Sequence, residues 1–168
     1  FAIYNADTMS LVYESGNDFE EKTAGYLPDY FNCSNDNIAI DDRSTKKGPE
    51  AESITVGQIG NKTYAFIALE RIGGVMVYDV TDPANSTYVN YINTRDFSAD
   101  IKEDVSPEGL CFLSLDGKPM LLAACEVSGT VAAYSFGGSA AGTVPAGPDY
   151  EPIKDSAVIL FTNDVHCA

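Results

Sequence analysis

The sequence predicts an all-β chain, a β-propeller fragment of about two to three blades, and three observations point there. Short apolar–polar alternations are punctuated by Gly, Asn, Asp and Pro along most of the chain. No segment carries a long apolar stripe at helical period. Two stretches are also copies of one another. Laying Glu52-Ser53-Ile54 on Glu108-Gly109-Leu110, an offset of 56 residues, brings Glu70 onto Glu126, Gly73 onto Gly129, Val75 onto Val131 and Tyr78 onto Tyr134 without a gap. A tandem unit of short antiparallel strands in this size range means blades or another radial β array.

The elements follow in order. Residues 1–5 and 10–14 read as strands around the turn-like Ala6-Asp7-Thr8. Ile3-Tyr4-Asn5 resembles Val77-Tyr78-Asp79, so this pair reads as the outer half of a preceding blade. Residues 15–52 are dense in Asn, Asp, Gly and Pro and read as one long loop. Within it, residues 19–24 supply one helical turn, which Tyr26, Leu27, Tyr30 and Phe31 pin to a core. Four strands come next, at 53–58, 63–69, 74–80 and 87–94, separated by Gly60-Asn61-Lys62, Arg71-Ile72-Gly73 and Thr81-Asp82-Pro83-Ala84-Asn85. The copy has strands at 110–115, 120–125 and 130–136, the first two joined by an Asp116-Gly117 hairpin signal. In that register Leu115 faces Lys118 and Cys111 faces Leu122, so Cys111 and Cys125 do not form a disulfide; both read as small core residues. Residues 137–156, with Gly137-Gly138-Ser139 and Pro145-Ala146-Gly147-Pro148, form a flexible linker. A new apolar strand opens at 157–161.

Composition narrows the function. The chain has 168 residues, 10 Lys+Arg against 25 Asp+Glu, a net charge of −15 and 45% hydrophobic residues. That is enough apolar content for a core. The charge argues against nucleic acid, which needs Lys and Arg, and against anionic lipid. It fits a solvated, cation-attracting surface. No apolar run approaches the roughly 20 residues of a membrane span. The chain begins at Phe1 without Met or a signal-peptide pattern and reads as an excised piece or a processed product. Its four cysteines, Cys33, Cys111, Cys125 and Cys167, have neither metal-ligand nor disulfide-scaffold spacing. The part before residue 137 has no His, so a Ser-His-Asp set is excluded there. Three Asn-x-Ser/Thr sequons, at Asn32, Asn61 and Asn85, matter only in a secretory host that glycosylates them.

Two groups of residues carry candidate chemistry. In a hairpin the start of the first strand and the end of the second share one end of the sheet. Glu52 and Glu70 therefore lie together, and the repeat places Glu108 and Glu126 likewise in the neighbouring blade. Such a carboxylate rim suits Ca²⁺, a hard cation that takes oxygen ligands, and Asp41 and Asp42 on the long loop can join it. The alternative is that each Glu accepts backbone N–H bonds at a turn or pairs with a base such as Arg71. The second group is Asp164 and His166. An Asp-x-His step at the end of a strand puts a carboxylate and an imidazole on one side, both suited to divalent metals. Tyr4, Tyr78 and Tyr134 read as core aromatics of an outer strand, and Lys46-Lys47 as solvated loop.

The run Val158-Ile159-Leu160-Phe161-Thr162-Asn163-Asp164-Val165-His166 resembles the first strand and first metal motif of five-prime-nucleotidase-type metallophosphoesterases, with Cys167 where that pattern usually has Gly. The resemblance implies that Asp164 and His166 bind a metal pair such as Zn²⁺ or Mn²⁺ in a complete domain. The remaining ligands of that pattern are not in this chain. Residues 1–136 resemble the choice-of-anchor I family of bacterial surface proteins, also labelled alkaline-phosphatase-like or mesenchyme-specific glycoprotein-like. The motifs that carry this include Leu27-Pro28-Asp29-Tyr30-Phe31-Asn32, Leu69-Glu70-Arg71-Ile72-Gly73-Gly74-Val75-Met76-Val77-Tyr78-Asp79, Asn93-Thr94-Arg95-Asp96-Phe97 and Pro107-Glu108-Gly109-Leu110. That resemblance implies a propeller of WD/YVTN-like blades, fused in some members ahead of a nucleotidase-type domain, with no established catalytic residues in the propeller.

The expectation is a non-catalytic propeller module over 1–136, a linker over 137–156 and the first strand of a truncated phosphoesterase domain over 157–168. The module belongs to an extracellular or cell-envelope protein and serves as a scaffold or interaction domain. Its partners are the missing blades of a parent or other copies of the chain, and a protein or glycan ligand at the loops 15–52 and 96–106. The alternative is a fragment of a metal-dependent nucleotidase or alkaline-phosphatase-like hydrolase. Propellers close with about 4–8 blades, so an array this short leaves faces and edges unpaired.

Overall fold

A computed structural model describes residues 1–98 and 102–136. The expected linker at 137–156 and the strand at 157–168, with Asp164 and His166, lie outside the described residues. The described chain is mostly β, in several small antiparallel sheets, none of which closes on itself. β1 (Ala2–Tyr4) and β2 (Leu11–Glu14) form a hairpin. α1 (Asp18–Tyr26) and a 3-10 turn at Pro28–Tyr30 follow. A four-stranded meander is built from β3 (Ala51–Ile59), β4 (Lys62–Leu69), β5 (Val75–Asp79) and β6 (Thr87–Ile92) in that spatial order. The short strands β7 (Arg95–Asp96) and β8 (Lys102–Glu103) pair with each other. The last sheet orders β9 (Pro107–Leu115), β10 (Lys118–Cys125) and β11 (Thr130–Ser135) with β10 in the middle.

The repeat recurs strand for strand. β3 and β9, and β4 and β10, share boundaries at the 56-residue offset read from the sequence. Leu115 pairs with Lys118 and Cys111 with Leu122, as the Asp116-Gly117 turn requires. Both turn residues have positive φ, +51° and +76°, which suits a two-residue hairpin loop. The backbone repeats further than the side chains do. Glu50 and Ser106, unlike in chemistry, occupy matching positions with φ of +58° and +62°. Their carbonyls accept from the N–H groups of Glu70 and Glu126, each at 2.8 Å. Two residues later both sheets carry a bulge. Ala51 pairs with Leu69 and Ser53 with Ala68, so Glu52 is extra; Pro107 pairs with Cys125 and Gly109 with Ala124, so Glu108 is extra.

Alternation along each strand decides which side chains meet. On β4 and β5, Ala65, Ile67, Leu69, Met76 and Tyr78 face one core, completed by Phe1, Ile3, Phe19, Leu27 and Tyr30 of the N-terminal region. Phe66, Val75 and Val77 face the other way, onto Leu121, Ala123 and Ala132 of the last sheet. The meander is thus covered on both faces, and residues 65–70 and 72–78 are buried without a break. Phe112 stacks on Phe66 with ring centroids 5.5 Å apart, and its ring lies directly over Gly57. A methyl group at Gly57 would fall inside that ring's van der Waals envelope. Gly57→Ala is therefore expected to lower stability by about 1–3 kcal/mol through overpacking, read as a lower urea midpoint. A cost under about 0.5 kcal/mol would contradict this contact.

Three expectations are corrected. The helical turn at 19–24 is a nine-residue helix. Acidic residues in its first turn suit the helix dipole, Phe19 and Thr23 are buried, and the Asp18 carboxylate accepts from the Tyr78 hydroxyl at 2.9 Å. Tertiary packing, absent from any local pattern, extends it. Cys111 is exposed while Cys125 is buried, because Cys111 points away from the face shared by Leu110 and Phe112. Tyr78 is fully buried and Tyr134 half-buried, but Tyr4 is exposed, since it lies on the side of β1 opposite Phe1 and Ile3.

Candidate functional site

The site lies where β3 and β9 begin and β4 and β10 end. The bulges at Glu52 and Glu108 interrupt strand pairing there and re-aim the two side chains. Glu70 and Glu126 stand one residue past β4 and β10, each tied by its N–H to the carbonyl of the residue just before the first strand of its hairpin. The four glutamates expected at one rim are brought together as two groups sharing Glu70. Carboxylate oxygens of Glu50, Glu52 and Glu70 lie within 4.8 Å of one another, and so do those of Glu70, Glu108 and Glu126. Asp41 and Asp42 are in neither group; Asp41 accepts from the Ser44 hydroxyl and Asp42 lies 3.9 Å from Lys46.

The two groups differ in charge balance. Glu50 is buried and meets three cations: Arg43 Nη2 at 2.6 Å, Arg71 Nε at 2.8 Å, and Lys47 Nζ, whose stem stays exposed. Burial alone would raise the Glu50 carboxyl, but hydrogen bonds from Arg71 and Lys47, with their charges, outweigh it and hold it at about 2. Buried Glu70 meets Arg71 Nη1 at 2.8 Å and accepts from Asn35 Nδ2 at 3.1 Å, which also donates to Ser106 Oγ at 2.7 Å. Desolvation pushes the Glu70 carboxyl up; Arg71 opposes this and the neighbouring glutamates add to it. Glu108 is pushed up to about 7, first by burial, then by a hydrogen bond with Glu126 and by the charges of Glu126, Glu70 and Glu52. The arginine pairing weighed as the alternative from sequence therefore holds at Glu70. At Glu108 and Glu126 one carboxyl keeps a proton so that it can bond the other.

A stability effect follows with a defined sign. An unfolded Glu ionises near about 4.3. Between there and about 7, native Glu108 holds a proton that the unfolded chain has released. Stability therefore falls as pH rises through that window. Glu108→Gln is expected to remove this slope, so that its urea midpoint exceeds that of the unsubstituted chain at pH 8 but not at pH 4. Equal slopes would refute the shared proton.

Sequence reasoning missed Glu50 and Asn35. Glu50 was hidden because its repeat partner is Ser106, so the carboxylate does not recur; the basic residues around it, Arg43, Lys47 and Arg71, were the available signal. Asn35 comes from a loop, held in place by Arg95, whose guanidinium donates to the carbonyls of Ser34 and Arg71 at 2.8 Å each. Of the sequons, Asn32 is buried, while Asn61 and Asn85 are exposed. The Asp164 and His166 pair lies outside the described residues.

Residues 1–83 match the choice-of-anchor I domain. The choice-of-anchor I match takes in the N-terminal hairpin, α1, β3 to β5 and the glutamates at 50, 52 and 70, and stops before β6. The chain is 29% identical over 157 residues to Gigasin-3a of Magallana gigas, covering 82% of this chain and 55% of that protein. It is 29% identical over 90 residues to the mesenchyme-specific cell surface glycoprotein of Strongylocentrotus purpuratus, covering 48% of this chain and 11% of that one. The chain thus spans about half the length of the first relative and about a ninth of the second. No solved structure matches it.

Proposed function

We propose that the chain is a non-catalytic propeller module of an extracellular or cell-surface protein, serving as a scaffold or interaction domain. One observation carries this reading: sheets of the same repeat stack in series, equivalent face on equivalent face. Phe1 and Ile3 in the first hairpin correspond to Val75 and Val77 in the meander, and each pair packs on the next sheet. Ile54 and Val56 are 53% and 57% exposed, although their counterparts Leu110 and Phe112 are packed. Inner strands beside β1 would cover them, as a full blade does. The choice-of-anchor I match and the printed name of the sea-urchin relative support a surface location. No helix among the described residues is long and apolar enough to cross a membrane. The segments expected from the sequence to make contact, 15–52 and 96–106, are where a protein or glycan ligand binds in this reading. Imaging of the full-length protein should show a ring of blades about a common axis; a two-sheet sandwich with no such axis overturns the proposal.

In this reading the Glu70, Glu108 and Glu126 group takes Ca²⁺ in place of the shared proton. Millimolar Ca²⁺ should then raise the melting temperature of the chain and not that of Glu108→Gln. An equal shift in both, or none, removes the cation. The run at 158–166 favours a second element, fusion to a metal-dependent phosphoesterase whose first ligands are Asp164 and His166. Phosphatase turnover by this 168-residue chain with added Mn²⁺ or Zn²⁺ should not exceed background, and turnover above it would overturn the non-catalytic reading.

A further inference from the structure

Between α1 and the meander, two oxygens border one small space. Asn32 is 3% exposed. Its Nδ2 donates to Ser44 Oγ at 2.9 Å, but its buried Oδ1 has no hydrogen-bond partner among the described residues. Turning the amide over would need the Ser44 hydroxyl as donor, and that hydroxyl already donates to Asp41 Oδ1 at 2.8 Å. The second oxygen is Glu20 Oε1 on α1. Glu20 is half-buried, and its carboxylate has no hydrogen bond or ion pair among the described residues. The two meet beside Gly48, which is buried with a φ of +57°. A methyl group built on Gly48 would lie 3.0 Å from Glu20 Oε1 and 3.6 Å from Asn32 Oδ1. The basic residues of this loop are engaged elsewhere: Arg43 and Lys47 bind Glu50, and Lys46 lies beside Asp42.

We propose that a monovalent alkali cation, Na⁺ or K⁺, binds beside Gly48, with Glu20 Oε1 and Asn32 Oδ1 among its ligands. Two acceptors on one space call for a positive or hydrogen-donating occupant, because a buried acceptor left bare is costly. Both ligands are oxygens, which suits a hard cation. Charge selects the valence. One carboxylate and one neutral amide together carry a single negative charge, which one alkali ion balances. A divalent ion would leave an excess charge in a partly buried place. The net charge of −15 draws cations to the chain as a whole. The ion fastens α1 to the loop that leads into β3. The site is separate from the glutamate rim, whose two groups contain neither Glu20 nor Asn32.

The test is thermal unfolding of the 168-residue chain in the chlorides of Na⁺, K⁺ and tetramethylammonium, each at about 0.15 M so that screening is equal. Tetramethylammonium is too large for the space. An ion held with a Kd of about 10 mM should raise Tm by about 3–6 °C over tetramethylammonium in at least one alkali salt. Glu20→Gln should lose that difference, and so should Gly48→Ala, whose methyl fills the space. Gly16→Ala has the same left-handed backbone, φ +56°, with nothing within 4 Å of its methyl, so it should keep the difference and serves as the control for strain. Glu108→Gln should keep it too, which separates this site from the rim. Each variant is compared with itself between salts, so its own change in stability does not enter, and Glu20→Gln carries the test where Gly48→Ala does not fold. One Tm in all three salts overturns the proposal and leaves water as the partner of Asn32. A difference that survives in Glu20→Gln overturns it as well, because the ion then binds elsewhere. The propeller reading stands apart from either result, since imaging of the full-length protein decides it.

Discussion

Replacing Tyr78 by alanine is expected to cost about 3–5 kcal/mol, the range for emptying a large aromatic site in a core. Tyr78 has no exposed surface and is the residue on which the N-terminal region is built. Its ring meets Phe1 edge-on at 4.8 Å, with Phe19 at 6.4 Å and Tyr88 at 5.8 Å. Its hydroxyl, held far above its ordinary pKa by burial first and by Asp18 second, remains a donor to the Asp18 carboxylate. Alanine leaves a cavity between the hairpin, α1 and the meander at once. Tyr78→Phe separates the contributions, because it keeps the packing and removes only the donor, for about 1–1.5 kcal/mol. Urea unfolding of both variants is the measurement. A loss below about 1.5 kcal/mol for alanine, less than a buried aromatic is worth, would mean that hairpin and helix are not seated on the sheet. Because a domain is stable by only about 5–15 kcal/mol, the expected loss brings the chain close to unfolding.

The second large effect is at Glu50. Glu50→Gln keeps the shape but removes the charge that Arg43, Arg71 and Lys47 share. Both arginines are largely buried there, so Arg43 loses its counter-charge and Arg71 keeps only Glu70, at a cost of about 3 kcal/mol. The loop ahead of β3 is anchored through these bonds, and it should become the first site of proteolytic cleavage. The pH dependence runs opposite to that of Glu108. The folded Glu50 carboxyl lies below its unfolded value, so its stabilisation is present above about 4.3 and is lost as pH falls towards about 2. The two groups therefore contribute opposite slopes, an acid limb that Glu50→Gln flattens and a limb above about pH 4–5 that Glu108→Gln flattens. An unchanged acid limb in Glu50→Gln would sink this assignment.

The strands from β3 to β6 and from β9 to β11 were legible because their ends are marked by local chemistry: Gly60-Asn61, the Gly73-Gly74 step and Asp116-Gly117. The 56-residue offset was legible because Glu, Gly, Val and Tyr recur at fixed spacing. From these two readings alone the four glutamates were placed at one end of their sheets. Neither the bulges that aim Glu52 and Glu108 nor the left-handed backbone at Glu50 and Ser106 leaves a residue-type signature, since no glycine stands at those four positions.

Sequence by itself determined the strand content, the hairpin register at Cys111 and Leu122, and the acidic rim, because turn preference and two-residue alternation act over a few residues. Only the tertiary structure decided which repeated positions are buried. Val75 and Val131 are the same residue type at the same position in two copies of one unit, yet one is enclosed and the other open. Burial depends on which face finds a neighbour, and that is settled by contacts between distant parts of the chain. The same holds for charge. Whether a rim glutamate ionises is set by how far it is buried and by which cations and carboxylates reach it in space, which is why Glu50 sits at about 2 and Glu108 at about 7.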